Sequence, residues 1–352
     1  MKKILLFGAA LVMAAVSMAQ TPTVSASKVT MKYCQTSYGT VPIKTNSFPV
    51  NIDGFSFAHE GTYVRKLMNV RGCDSVVTYI IEDRKGRLDG EFSVASGKKV
   101  RFSKGNLQYK ASNGTAFPNA GCLKHATAVG DKPGIFQFAS HQYETAGSTH
   151  NNNRQQNPND QEWQDIFTRG ASGYSENPCY FTDYCNDMSG TNYDWGVFNA
   201  IENGGKEPGS WRCLKMSEFQ YLFGKNSSGS DVSPCRANAA QKWGYGHITV
   251  NSTTINGVIL LPDTWSLPST CSFTPQSSNN NYTAAHWEAM EENGAVFIPT
   301  TGYYQSSYRQ DATESYYYTS DGDFFGFDNY QFYGYTKCAG LYGFVRLVVD
   351  VQ

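Results

Sequence analysis

Tyr342-Gly343-Phe344-Val345-Arg346-Leu347-Val348 closes the stretch Thr300 to Val349, around which the chain is organised. The stretch opens with Thr301-Gly302-Tyr303-Tyr304. Between its ends stand Tyr316, Tyr317, Tyr318, Phe324, Phe325, Phe327, Tyr330, Phe332, Tyr333 and Tyr335, alternating with Ser, Asp, Asn, Gly and Gln. Leu, Ile and Val are nearly absent until Leu341. Gly343 to Val348 reads as a buried closing strand, in which Arg346 needs a carboxylate or carbonyl partner. Two readings of the rings stay open. Tyr gives contact area at low side-chain entropy cost, and Gly, Ser and Asn give adaptable hydrogen bonding, which is the chemistry of a paratope. On that reading Tyr317, Tyr318, Asp321, Asp323, Phe325, Phe327, Asn329, Tyr330, Phe332, Tyr333 and Tyr335 form a ligand-binding face. Strands favour aromatics in any case, so the same rings suit the core of an aromatic-rich β protein. Alternation turns only about every second residue of a strand outward.

The 352 residues suggest two or three domains. Hydrophobic residues are 40% of the chain and aromatic residues 14%, ample for a buried core, while charged residues are only 17%. The net charge of −1 and the lack of any basic run argue against non-specific nucleic-acid binding, which needs many phosphate-neutralising cations. Residues 1–19 read as a secretory signal. Lys2 and Lys3 precede an apolar run from Ile4 to Val16, too short for a comfortable membrane span, and Ser17-Met18-Ala19 fits a cleavage site. Cleavage would start the mature chain at Gln20 and take the formal charge from −1 to −3. The protein is therefore expected in the periplasm, at the cell surface or outside the cell, with no membrane span in the mature chain. Nine cysteines follow the signal, and in an exported chain they can pair, leaving at least one over. None has the Cys-x-x-Cys spacing of a zinc site.

Residues 20–88 read as a small all-β domain of short strands separated by turn residues. Glu82 to Gly90 is charged and has no apolar period, so it reads as a linker. The large domain, residues 89–352, begins with a hairpin around Gly97. Helices are expected at Asp160–Phe167, at Lys215–Phe223 with Gly224 as C′ residue, and at Thr283–Glu292 with Ala284, Trp287 and Met290 inward. Gly257-Val258-Ile259-Leu260-Leu261-Pro262 and Ala295-Val296-Phe297-Ile298-Pro299 read as central strands. Few helices among many strands predict an α+β domain.

The order of several motifs carries a resemblance. Phe102-Ser103-Lys104-Gly105-Asn106-Leu107-Gln108-Tyr109 comes first, then Asp194-Trp195-Gly196 and Trp211-Arg212-Cys213-Leu214. Gly257 to Trp265, Gly294 to Pro299 and Phe344-Val345-Arg346-Leu347 follow. Over residues 91 to 349 the chain resembles exported paralogous proteins of gut bacteria with a C-type lectin-like fold related to the formylglycine-generating enzyme. Some members of that fold are variable proteins of diversity-generating retroelements, and the composition of 316–338 is similar to theirs. Likewise, Gly72-Cys73-Asp74-Ser75-Val76-Val77-Thr78 resembles the end of immunoglobulin-like repeats of exported multi-domain proteins. That resemblance implies a disulfide between Cys34 and Cys73. The expected fold is thus a C-type lectin-like domain preceded by a small immunoglobulin-like one.

The departures bear on activity. The oxidase relatives need a reactive cysteine pair in the C-terminal core, where only Cys338 lies. The six histidines share no metal-ligand spacing. Glu207-Pro208-Gly209 and Trp163-Gln164-Asp165 are near misses, in the wrong order, for a calcium-dependent sugar site. There is no Gly-x-Ser-x-Gly elbow, phosphate loop or His-Glu-x-x-His, and the adjacent Glu291 and Glu292 diverge on a helix. The reading is non-enzymatic, with no cofactor and no metal: an exported protein whose aromatic C-terminal face recognises a protein or glycan. The alternative is a structural or adhesive surface protein without a variable site.

Overall fold

β-Branched and aromatic residues in alternation put strands through much of the described chain. The computed structural model describes residues 36–46, 48–68, 72–110, 135–146, 163, 165, 167, 187–191, 194–300, 303–305, 308–310, 314–328, 332–335 and 341–351. Two compact units emerge. The smaller runs to Val41 and resumes over Tyr63–Tyr79; the larger comprises Pro42–Thr62 and Ile80–Gln352.

The first strands are β1 (Ser37–Thr45), β2 (Val50–Ile52), β3 (Phe55–Phe57), β4 (Gly61–Met68) and β5 (Asp74–Asp83). A three-stranded sheet has the order β1-β5-β4, and β2 pairs with β3. Cys73, 7% exposed, is disulfide-bonded. Cys34, its expected partner, lies outside the described residues, as do the signal segment and its cleavage site.

Residues 82–90 are not a solvated linker. Arg87 bridges to Ser103, the Leu88 amide donates to the Phe102 carbonyl at 2.8 Å, and Leu88 is buried. One apolar side chain among charged neighbours anchors the run, because its burial outweighs the polarity around it.

Next come β6 (Phe92–Ala95), β7 (Lys98–Phe102), β8 (Leu107–Lys110), β9 (Ile135–Phe138), the one-turn helix α1 (Trp195–Phe198), β10 (Arg212–Cys213) and α2 (Met216–Phe223). The α2 helix ends as its sequence predicts: Gly224 adopts φ 65°, and its amide donates to the Gln220 carbonyl. Further on are β11 (Trp243–Val250), β12 (Thr253–Leu260), β13 (Asn280–Thr283), α3 (Ala284–Glu292) and β14 (Val296–Pro299). The Thr283 hydroxyl caps α3, which buries Trp287 and Met290 and leaves Ala284 half-buried. The last strands are β15 (Tyr303–Gln305), β16 (Tyr308–Gln310), β17 (Glu314–Tyr318), β18 (Phe324–Asp328), β19 (Phe332–Tyr335), β20 (Leu341–Tyr342) and β21 (Leu347–Asp350).

These strands form small sheets of order β10-β21-β7-β6, β13-β11-β12-β14, β16-β15-β20 and β17-β18-β19, with β8 paired to β9. The closing strand β21 is central in its sheet, as the apolar run ending at Val348 requires. It pairs with β7 at Val348–Phe102 and Val349–Arg101, and with β10 at Val348–Arg212. Of the expected helix at Asp160–Phe167, only Trp163, Asp165 and Phe167 are described. Phe167 instead forms an antiparallel bridge to Gly343.

The expected fold class is corrected. At 45% strand against 10% helix the described residues are mostly β. It is not an α+β C-type lectin-like domain preceded by an immunoglobulin-like one. The α+β reading gave too much weight to the helices: α2 and α3 span only eight and nine residues and pack on the strands.

Candidate functional site

The sheet β17-β18-β19 carries the rings proposed from sequence as a ligand-binding face, and alternation divides them. On one side Tyr317, Phe325, Phe327 and Phe332 join a core cluster with Phe92, Phe102, Phe219, Phe223 and Trp243. On the other side Tyr316, Tyr318 and Phe324 join a second cluster with Tyr109, Phe138, Trp195, Trp211 and Leu347. Both faces of the sheet therefore meet core, and each of these rings is 5% exposed or less. Phe325 stacks on Phe219 at 4.3 Å between centroids, with the planes 1° apart. Tyr317, Tyr318, Phe325, Phe327 and Phe332, expected on a ligand-binding face, are thus placed in the core instead.

The remaining candidates fare as follows. Asp321 is half-buried and accepts the Met216 amide at 2.9 Å, at the start of α2. Asp323 is half-buried too, and its amide and carbonyl both bond the Thr319 hydroxyl. Tyr333 pairs with Gly326 and Tyr335 with Phe324 in the β18–β19 register. Asn329 and Tyr330 lie outside the described residues.

Arg346 finds the partner that its position in an apolar strand demands. It is 1% exposed and donates to Gln142 Oε1 at 2.9 Å, with Asn106 Oδ1 farther off at 3.5 Å. Gln142 Nε2 donates to Glu291 at 2.9 Å, and its Oε1 also accepts the Phe297 amide at 2.8 Å. The Tyr317 hydroxyl donates to the Pro299 carbonyl at 2.8 Å and accepts from Asn106 Nδ2 at 3.1 Å. Burial pushes Arg346 down to about 10 and raises Glu291. The partner is thus a pair of side-chain amides, with a carboxylate one bond beyond. The network ties the closing segment to β14 and α3 through Gln142, although among the described residues the buried Arg346 Nε has no hydrogen-bond partner.

A second knot ties β10 to α1. Asp194 is fully buried, and its carboxylate accepts the Gly196 amide at 3.1 Å and the Cys213 amide at 3.0 Å. Desolvation raises its pKa to about 6, against lowering by those amides. The folded value lies above the unfolded one of about 3.8, so the folded state binds the extra proton. This contribution to stability is fully present below about 3.8 and is lost as pH rises through about 6. Asp194→Asn keeps an acceptor for both amides but does not titrate. It should flatten the fall in denaturation midpoint between about pH 4 and pH 6; an unchanged slope would show that Asp194 does not carry it.

Beside this knot lies a cleft of about 520 Å³, lined among others by Lys85, Arg87, Arg101, Glu207, Trp211 and Asp350. Gly86 makes it possible. Its φ is +78°, and a Cβ there would meet the Asn203 carbonyl oxygen at 2.5 Å and the Phe138 ring at 2.7 Å. Only a glycine lets the 84–87 turn sit this close, and the turn delivers Lys85 and Arg87 to the cleft. Arg101 comes from β7 opposite Val349. It spends one terminal nitrogen on Glu91 at 2.7 Å, and Arg87 lies 3.5 Å from Glu82. Among the described residues, neither the Lys85 ammonium nor the Glu207 carboxylate has an ion-pair partner. Asp350 is held from the other side by Arg212 at 2.7 Å, and Arg212 also grips Glu218 at 2.7 Å.

A second cleft of about 380 Å³ shares Asp350 with the first and is lined further by Arg212, Lys98, Lys99, Lys215 and Ser320. Sequence reasoning missed both clefts. The one available signal was the density of cations in Arg84-Lys85-Gly86-Arg87, which reads equally as solvated surface. Among the described residues, no His, Cys, Asp and Glu group is placed to hold a metal ion, and no helix is long and apolar enough to cross a membrane. Compared with protein-family models, curated proteins and solved structures, the chain matches none.

Proposed function

We propose that this is an exported ligand-binding protein whose site is the 85–87/β7/C-terminal cleft rather than the aromatic sheet. The observation that carries the reading is the cleft itself: about 520 Å³, with cations and carboxylates from four separate segments of the chain. That volume falls in the range of small-molecule and saccharide sites, where a few polar groups fix the ligand. The rings of β17 to β19 serve as the scaffold. A fixed-specificity binder is preferred to a retroelement-diversified one, because substitution at the buried ring positions would disturb the core.

The burial of those same rings favours a second reading, a structural or adhesive surface protein with no ligand site. Arrays of glycans and of proteins, probed with the purified full chain, separate the two. On the binding reading at least one ligand is retained, and Lys85→Asn combined with Arg87→Gln weakens it by about tenfold or more. The unfolding free energy should stay within about 0.5 kcal/mol of the parent, as for exposed substitutions. Silent arrays, or a ligand indifferent to both changes, would leave the structural reading standing.

A further inference from the structure

We infer, resting on the cleft as the binding site, that its ligand is a saccharide carrying an oxyanion, either a carboxylate or a sulfate. Lys85, Arg87 and Arg101 converge there from the 84–87 turn and from β7. Arg101 spends one terminal nitrogen on Glu91, and Arg87 holds Glu82 only at 3.5 Å. Further guanidinium donors therefore remain for a ligand, and planar guanidinium donors match carboxylate and sulfate oxygens better than an ammonium does. Lys85 adds a compact charge that has no ion-pair partner among the described residues, and its stem runs about 3.5 Å from where a Gly205 Cβ would lie. A bare anion site would not also present Glu207 and Ser210, which line the same cleft. Carboxylate and hydroxyl acceptors beside cations suit a ligand that donates through several hydroxyls and accepts through one charged group. An acidic sugar has both.

Three probes are titrated into the full chain at low salt by calorimetry or saturation-transfer NMR: glucuronate, glucose 6-sulfate and glucose. One or both charged sugars should bind and glucose should not, and binding should weaken as salt screens the charges. Whichever charged sugar binds more tightly identifies the oxyanion. Lys85→Asn and Arg87→Gln should each reduce that binding about tenfold. Asn is chosen at position 85 because Lys85 has φ +49°, a left-handed conformation that Asn adopts readily. Glucose binding as tightly as the charged sugars would overturn the oxyanion while leaving the cleft as the site. Failure of all three probes, with an array ligand still lost in the two variants, would overturn the saccharide class alone. Charged-sugar binding that survives both substitutions would overturn the placement in this cleft.

Discussion

Phe325→Ala is expected to destabilise the full chain by about 3–5 kcal/mol, the range for removing a buried aromatic ring. The ring is 5% exposed and stacks on Phe219 at 4.3 Å and on Phe223 at 5.1 Å. Phe332 packs against it at 5.4 Å and Phe327 at 6.0 Å. Truncation opens a void that α2 cannot fill, because Gly224 and the Arg212–Glu218 pair fix its two ends. Urea unfolding measures the loss, and Phe325→Leu, which keeps most of the volume, should cost much less. The experiment also bears on function. A variant as stable as the parent but deficient in ligand binding would restore the aromatic sheet as a recognition surface and remove the case for the cleft.

The second large effect is expected at Arg346. Arg346→Ala should cost about 3–5 kcal/mol, because removing one member of a buried charged network strands its partners. Gln142 Oε1 loses one of its two donors, keeping only the Phe297 amide, and Glu291 loses the cation that offsets its burial. Arg346→Lys should not rescue, since an ammonium cannot reproduce the planar donor geometry. If the loss is electrostatic, adding Glu291→Gln to Arg346→Ala should recover part of it, so that the two changes are not additive by about 1 kcal/mol or more. Strict additivity would mean that Arg346 acts by packing alone.

Several elements were legible from sequence for local reasons. The α2 helix, with its apolar face and Gly224, reads correctly because periodicity and capping act within a few residues. The β6–β7 hairpin, the apolar ends of β11 and β12 and the strand β14 read correctly because β-branched runs bounded by turns leave little else. The expected helix near Asp160 fared differently, since Phe167 pairs with Gly343, far along the chain. No property of residues 160–167 announces that partner.

What the sequence by itself determined is the strand-rich character of the C-terminal stretch, the burial of its closing strand and the need of Arg346 for polar company. Which face of β17-β18-β19 meets water was decided only by tertiary structure. A tyrosine suits solvent or core equally until its hydroxyl has a partner, and Tyr317 obtains two, from Pro299 and Asn106. Alternation sends successive rings to opposite sides, and only the packing of one core cluster on each side buries them all. The cleft is equally non-local: Lys85, Arg101, Glu207 and Asp350 become neighbours because β21 inserts between β7 and β10, a pairing of distant segments that no spacing in the sequence records.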